Sequence, residues 1–338
     1  MIEKLLKNDL SKRRWRVFKR QRMSVVSIFL LLAMAFFSYT GEFWANSKPV
    51  YLSYKGKTYF PVLFDYHPTV FEMKGTLITD YRRLELSEGD FAIWPLIDWD
   101  PYESNKTVAN YPSPPTSDNV LGTDDRGRDV LARIVYGFRY SMTFAILVWL
   151  FSTALGVLAG SLMGYFGGLV DLIGQRILEI WGSIPFLFLI LIVIAVFGAS
   201  LPILVAINVF FGWGLACQYT RAEFLKNRKL EYSEAARAIG GGHMRVIFRH
   251  LLPNSLVSVI TFTPFIISGG VSVLAGLDYL GFGLPPPTPS WGELLEQAQN
   301  YFTIAWWLAI YPSIALTSTL ILLTLLGNGV RKALDPNG

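Results

Sequence analysis

The chain has 338 residues, 52% of them hydrophobic, 15% aromatic and only 16% charged. A composition this apolar and this weakly charged excludes an ordinary soluble domain of that length. The formal net charge of +5 comes from basic residues placed beside apolar runs, which is the signature of membrane topology and gives no sign of nucleic-acid binding.

Residues 1–22 form a basic N-terminal segment, in which Lys4, Lys7, Lys12, Arg13, Arg14, Arg16, Lys19, Arg20 and Arg22 face only Glu3 and Asp9. The apolar run 23–39 follows, and Phe43 and Trp44 extend it to the interface, giving a first transmembrane segment over 23–44. A basic stretch ahead of an apolar one also begins a secretory signal peptide. Here the bulky Glu42-Phe43-Trp44 stands where a small-residue cleavage site would be needed, so the first helix is expected to stay uncleaved.

Residues 45–133 are polar, aromatic and rich in turn residues. Residues 50–60 read as two short strands around a Lys55-Gly56 turn. Tyr111-Pro112-Ser113-Pro114-Pro115 reads as an extended connector. A structureless stretch of this length is unusual, and Trp94, Trp99 and several Tyr and Phe offer area to bury, so a small, part-β external subdomain is expected. Gly56-Lys57-Thr58 lacks the glycine that a phosphate-binding loop needs five residues earlier; Tyr51 stands there. Asn105-Lys106-Thr107 matches a glycosylation acceptor, a pattern short enough to arise by chance.

Five further apolar runs cover 138–165, 177–198, 201–220, 251–277 and 305–330. Each approaches or exceeds the roughly 20 residues that cross a bilayer. The expectation is an all-α membrane protein with six spans: a large insert, a five-helix core over 134–330, and a tail over 331–338. An even number of crossings puts both termini on one side. The internal loop 221–252 shares it, with Arg221, Lys226, Arg228, Lys229, Arg237, Arg245 and Arg249, and basic loops face the cytoplasm. Lys55 and Lys74 are then external. Gly156, Gly160 and Gly164 recur every four residues on one helix face, where a neighbour can approach closely. Pro185 and Pro264 interrupt the third and fifth runs and permit kinks. A single cysteine, Cys217, excludes an intrachain disulfide.

No catalytic constellation is visible. His67 is external, His243 and His250 lie in the internal loop, and no zinc-protease, Cys-x-x-Cys or nucleophile-elbow pattern occurs. The span centres carry essentially no charge; Arg139 and Glu179 lie near span ends. Gradient-coupled transporters usually place polar groups or broken helices at midplane, so energy is expected to enter from outside the membrane part. A gradient-driven secondary transporter and a non-transporting membrane anchor for the external segment remain as alternatives.

One internal stretch has an unusual make-up for a loop. Ser233 is suited to cap a helix start, and Glu234 sits where a helix N-terminus favours negative charge. Ala235 and Ala236 are small helix formers, and Gly240 supplies a stop. A short helix with one nearly bare face is expected. Pro253 then falls where the next membrane helix begins, and its missing N–H costs little there.

These residues resemble the EAA loop of bacterial ATP-binding-cassette (ABC) importers: Glu234-Ala235-Ala236, three residues, Gly240, the nine residues 241–249, then His250, Leu251, Leu252 and Pro253. His at position 250 is the residue usual in peptide permeases. Three other stretches are similar to dipeptide and oligopeptide permease subunits. They are Leu121-Gly122-Thr123-Asp124-Asp125-Arg126-Gly127-Arg128-Asp129 with Gly137, Arg139 and Ser141; Leu280-Gly281-Phe282-Gly283 with Pro289-Ser290-Trp291-Gly292-Glu293; and Gly327, Arg331 and Asp335-Pro336. The long insert is most like that of the branch linked to import of microcin C and other peptides. Asn328 and Lys332 depart from the family, standing where acidic residues are common.

The resemblance implies a bacterial inner-membrane permease that pairs with a homologous second permease, embedded in membrane lipid. Two cytoplasmic ATPase domains would use ATP and magnesium, and a periplasmic binding protein would deliver the peptide substrate. This chain itself would bind no cofactor or metal and catalyse nothing. Tyr232, Glu234, Ala235, Ala236, Gly240, His250 and Pro253 would contact the ATPases.

Overall fold

A computed structural model describes residues 9–73 and 77–335. Glu3, Lys4 and Lys7 of the basic segment, Lys74 of the insert, and Pro336 and Asn337 of the tail lie outside the described residues.

Helix α1, Asp9–Arg20, breaks at Gln21 from α2, Arg22–Tyr39. The break separates a charged, amphipathic helix from an apolar one. After the insert come α3 (Val130–Phe166), α4 (Gly168–Gly182), α5 (Phe186–Phe197), α6 (Leu201–Asn227), α7 (Glu231–Ala238), α8 (Leu252–Tyr279), α9 (Trp291–Asn300) and α10 (Trp306–Leu334). Among the described residues, five helices are long and apolar enough to cross a membrane: α2, α3, α6, α10, and α8 with the turns that lead into it from His243.

The third expected span, 177–198, is not one helix. It is the bent pair α4 and α5, which meet at 72°. Pro185 explains the break. It lacks an N–H for the ladder and drives Ile184 away from helical geometry, and it stands as the extended residue before α5.

The centre of the bundle is α3 against α6. Three glycines make the approach possible. A Cβ at Gly156 would lie 2.4 Å from the Trp213 carbonyl oxygen, at Gly160 2.3 Å from that of Cys217, and at Gly164 2.5 Å from the Phe224 Cβ. Cys217 is buried in this seam. Phe144 of α3, Ile190 of α5, Leu204 of α6 and Leu274 of α8 form one core, and Leu31 of α2, Phe138 of α3, Val271 of α8 and Leu323 of α10 a second.

The insert carries a three-stranded antiparallel sheet of order β2-β1-β3, with β1 Tyr51–Tyr54, β2 Lys57–Tyr59 and β3 Phe91–Ile93. Lys55 and Gly56 both have positive φ, 48° and 72°, as the tightest hairpin turn requires. Leu52 and Tyr54 face Phe71 and Tyr81 in a small core.

The insert is joined to the bundle by a buried ionic network. Arg128 Nε donates to Asp124 Oδ2 at 2.7 Å, and Arg128 Nη2 to Glu293 Oε1 at 3.1 Å. Arg133 of α3, fully buried, also pairs with Glu293 and donates to the Pro101 carbonyl at 3.0 Å. Burial opposes the Arg128 charge, but Asp124 and Glu293 outweigh it and raise its pKa. Trp291 donates to the Ile134 carbonyl at 3.0 Å and lies over Gly137, where a Cβ would be 2.9 Å from its ring. Two stretches that are distant in sequence thus meet in one layer.

Candidate coupling site

The segment from the end of α6 to the start of α8 is built around α7. Leu230, extended at φ −82° and ψ 148°, precedes the first helical residue, Glu231. This corrects the expectation for Ser233. It does not cap the helix; it lies inside the first turn, fully buried, with no hydrogen-bond partner for its Oγ. Burial decides the start here. Ser233 and Ala236, one turn apart on the same face, turn inward together, and Ala236 packs with Tyr165, Phe224, Val246, Ile247 and Leu251. Ala235 and Ala236 therefore do not share a bare face. Ala235, Tyr232, Glu234 and Ala238 are exposed, and Ala236 is buried.

The end of α7 is closed by the backbone. Gly241 N–H donates to the Ala236 carbonyl at 3.1 Å and Gly240 N–H to the Arg237 carbonyl at 3.0 Å. This is a Schellman pair, and it places its turning residue in the left-handed region. Gly240 has φ +81°. Acidic Glu231 and Glu234 sit in the first turn and Arg237 in the last, each complementing the helix dipole.

Hydrogen bonds tie this unit to three long helices. Arg237 Nη2 donates to the Arg228 carbonyl at 2.5 Å, and Arg228 Nη1 donates to the carbonyls of Gly164 and Tyr165 at 3.2 Å each. Tyr165 Oη bonds His243 Nδ1 at 2.8 Å, and Asn227 Nδ2 donates to Ser255 Oγ at 3.2 Å. Arg221 makes a two-pronged pair with Asp171, anchoring α6 to α4.

Pro253 stands in the first turn of α8, as expected, although the helical path leading to it is longer. The helix that continues into the span starts at His243, ahead of the proline. A π turn, Val246–Leu251, lies immediately before it. The widened turn accommodates a residue that has no N–H and crowds the carbonyl four residues back. His250 is half-buried within that turn, and Pro253 is exposed.

Tyr232, Glu234, Ala235 and Gly240 thus lie on one exposed unit, Ala236 forms its buried foot, and His250 and Pro253 lie in the helix that leaves it. Three exposed apolar side chains beside this unit, Ile239 (88% exposed), Met244 and Phe248, had no periodicity to mark them in sequence. Tyr165, Arg228 and His243 take part only through tertiary contacts. Among the described residues no three His, Cys, Asp or Glu side chains converge as a metal site would require. The arrangement is a compact surface element fixed to the ends of α3, α6 and α8.

Residues 156–337 match the family described as binding-protein-dependent transport system inner membrane component. The chain is 40% identical to the inner membrane ABC transporter permease protein YejE of Escherichia coli K12, over 98% of each chain. It is 38% identical to the peptidoglycan transport system permease protein YejE of Agrobacterium fabrum, over 96% of this chain and 93% of that one. To the dipeptide transport system permease protein DppC of Haemophilus influenzae it is 34% identical, over 70% of this chain and 82% of that one. In fold it is similar to a solved structure of the MetNI methionine ABC transporter in an inward-facing conformation, with a TM-score of 0.50 and 17% identity, covering 61% of this chain and 97% of that one.

Proposed function

The chain belongs to the inner-membrane component family of binding-protein-dependent transport systems, as a permease subunit of an ABC peptide importer, and from that premise we propose its working parts. It is a multi-pass inner-membrane protein. The bent pair α4–α5 serves as the third of six spans. Both termini and α7 face the cytoplasm, and the insert faces the periplasm, as the basic segments suggest. A homologous permease completes the pathway, and a periplasmic binding protein delivers peptide to its outer mouth.

Two cytoplasmic ATPase domains power the complex, and α7 is this chain's contact with them. The observation that carries this reading is the two-sided build of α7: Tyr232, Glu234 and Ala235 outward, Ser233 and Ala236 packed onto the ends of three long helices. Closure of the ATPases on ATP and magnesium displaces α7. The ends of α3, α6 and α8 move with it, and the pathway turns from inward-open to outward-open. The chain hydrolyses nothing itself.

The cargo is a peptide. The YejE relatives align along nearly the whole chain, the insert included, which supports the branch linked to microcin C. The Agrobacterium relative belongs to a peptidoglycan transport system, and we add cell-wall peptides to the cargo class on that ground.

The test is uptake by the complex in proteoliposomes, the binding protein outside relative to the permease mouth and ATP on the ATPase side. Labelled linear peptide, a cell-wall peptide and microcin C should be compared. ATP-dependent uptake of at least one is expected. Uptake driven by a proton gradient without ATP, or none of the three with all subunits present, refutes the reading.

A further inference from the structure

The bend between α4 and α5 leaves a stretch of main chain without partners. The Ser183 N–H closes α4 on the Glu179 carbonyl at 3.1 Å, and α5 begins after Pro185. Among the described residues, no backbone hydrogen bond reaches the carbonyls of Gly182, Ser183 or Ile184. The first N–H groups of α5 have no partner within the helix, and no side chain caps them. Residues 182–185 are exposed, and a Cβ on Gly182 would meet nothing within 4 Å.

Contacts with α6 fix the depth of this break. Trp181 Nε1 donates to the Phe210 carbonyl at 2.9 Å, and its ring stacks on Phe211 with centroids 5.3 Å apart. Helix α6 begins at Leu201, so Phe210 stands about 14 Å along it, near the middle of a hydrocarbon layer about 30 Å thick. The alignment continues along α4, where Leu178 packs with Cys217 and Asp171 pairs with Arg221. Between Asp171 and the break, Arg176 and Glu179 form an ion pair, and both are exposed. The apolar run 177–198 taken alone puts Glu179 at a span end. With α4 beginning at Gly168, Glu179 stands well inside.

Lipid tails cannot receive these groups. Irregular main chain and charged side chains at membrane depth occur where protein or a water-filled cavity covers them, and the described residues of this chain leave them open. Gly182 and Ser183 are too small to shield the main chain, which suits a wall past which a substrate moves. A peptide carries the matching groups. Its carbonyls and N–H groups complement the bare donors and acceptors of the break whatever its side chains are. The exposed Phe210 ring beside the break offers an apolar side chain a surface. We infer that residues 182–185, with Arg176 and Glu179, line the peptide pathway, and that the free main-chain groups of the break face the cargo. The inference rests on the peptide-import reading and on α4–α5 as the third span. It adds which residues of this chain meet the peptide.

Cysteine accessibility in the complete complex, reconstituted in proteoliposomes, tests it. The chain carries Ser183→Cys or, separately, Gly182→Cys, with the buried Cys217 left in place. A charged methanethiosulfonate reacts with the thiolate, which forms in water and is suppressed in apolar surroundings. Both positions should react, and the modification should abolish ATP-dependent peptide uptake. Peptide delivered by the binding protein should slow the reaction. Leu158→Cys, exposed on α3 among apolar neighbours, should stay unreactive. A photoreactive residue at position 183 should cross-link to the peptide. No reaction at either position, with or without ATP, overturns the inference, as does a reaction that leaves uptake intact. Equal reactivity of Leu158→Cys also overturns it, because access would then not single out the break. Cross-linking confined to lipid or to the second permease does the same. Should one cysteine variant fail to assemble, the other decides. A wild-type complex that imports no peptide overturns the proposed function and this inference with it. Peptide import by the wild type with positions 182 and 183 unreactive overturns this inference alone.

Discussion

Gly240 allows one test of the coupling reading whose energetics separate cleanly. Its φ of +81° is left-handed, and a Cβ built on it meets no atom within 4 Å. Steric crowding is therefore absent, and a side chain costs only what the backbone conformation costs. For alanine that is about 1–2 kcal/mol, a shift of about 5–30-fold from the closed Schellman turn toward a frayed one. Asparagine visits the left-handed region several-fold more readily than most residues, so Gly240→Asn should be mild. Aspartate shares that tolerance but adds a negative charge at the negative end of α7, a further penalty of about 0.3–1 kcal/mol. The assay is ATP hydrolysis by the reconstituted complex, with and without peptide-loaded binding protein, alongside uptake. Gly240→Ala and Gly240→Asp should lose most of the stimulated hydrolysis and uptake while the complex stays in the membrane. Gly240→Asn should keep most of both. Gly276→Ala serves as control, since that helical glycine also has open space but no positive φ. Full stimulation and uptake in both Gly240→Ala and Gly240→Asp would refute the reasoning.

Other consequences are open to direct measurement. Gly160→Ala drives a methyl group against the Cys217 backbone and should cost about 1–3 kcal/mol, read as a lower unfolding temperature of the detergent-solubilised complex; an unchanged temperature contradicts the glycine seam. Arg133→Gln leaves Glu293 and Asp124 short of a buried partner and should cost about 3–5 kcal/mol in the same assay. Asp125→Asn should do the opposite. Burial, then the neighbouring Asp124 charge, raises the Asp125 carboxyl above its ordinary value, and its Oδ1 is buried without a hydrogen bond, the Arg126 guanidinium standing off at 3.9 Å. A carboxyl raised by folding favours the folded state when protonated, and that contribution fades as pH rises through the raised value. The advantage of Asp125→Asn should therefore be present at neutral pH and vanish as pH falls toward the ordinary carboxyl range; an advantage that grows on acidification sinks the argument. For topology, an impermeant thiol reagent applied to spheroplasts should label Lys55→Cys and spare Lys229→Cys, with little background from the buried Cys217; labelling at 229 reverses the orientation.

The long helices were legible because their apolar runs are long, and membrane burial rewards length more than any local contact. The hairpin at Lys55-Gly56 was legible because its turn chemistry is local. Strand β3 was not: Phe91–Ile93 is too short to show alternation, and only its pairing with β1 makes it a strand. Pro185 announced an interruption, but the 72° bend depends on how α5 packs against α6. At the coupling site, Glu234 and Gly240 could be read from residue type, since a helix's ends have fixed electrical and backbone demands. Ser233 was misread for the same reason. Its type suits a cap, yet its spacing to Ala236 puts it on the face that Phe224 and Val246 bury. The ionic network could not be read at all, because the Arg128–Glu293 contact exists only once α3 and α9 lie side by side.

Helix α3 has 37 residues, about 55 Å at the usual rise per residue. A bilayer with its headgroups is about 40–45 Å thick, so a rod of this length reaches out of the membrane unless it is steeply tilted. One end carries Arg133, locked to Glu293 and the insert. The other carries Tyr165, bonded to His243 beside α7. The three glycines hold the Tyr165 end against α6, Gly164 standing next to Tyr165 itself, which makes that end the fixed point. A tilt begun at the Arg133 end then sweeps the far end of a lever whose pivot lies beside α7. On the proposed function, a push at the Arg133 end would reach the ATPase contact as a torque at that pivot, carried by a single stiff helix.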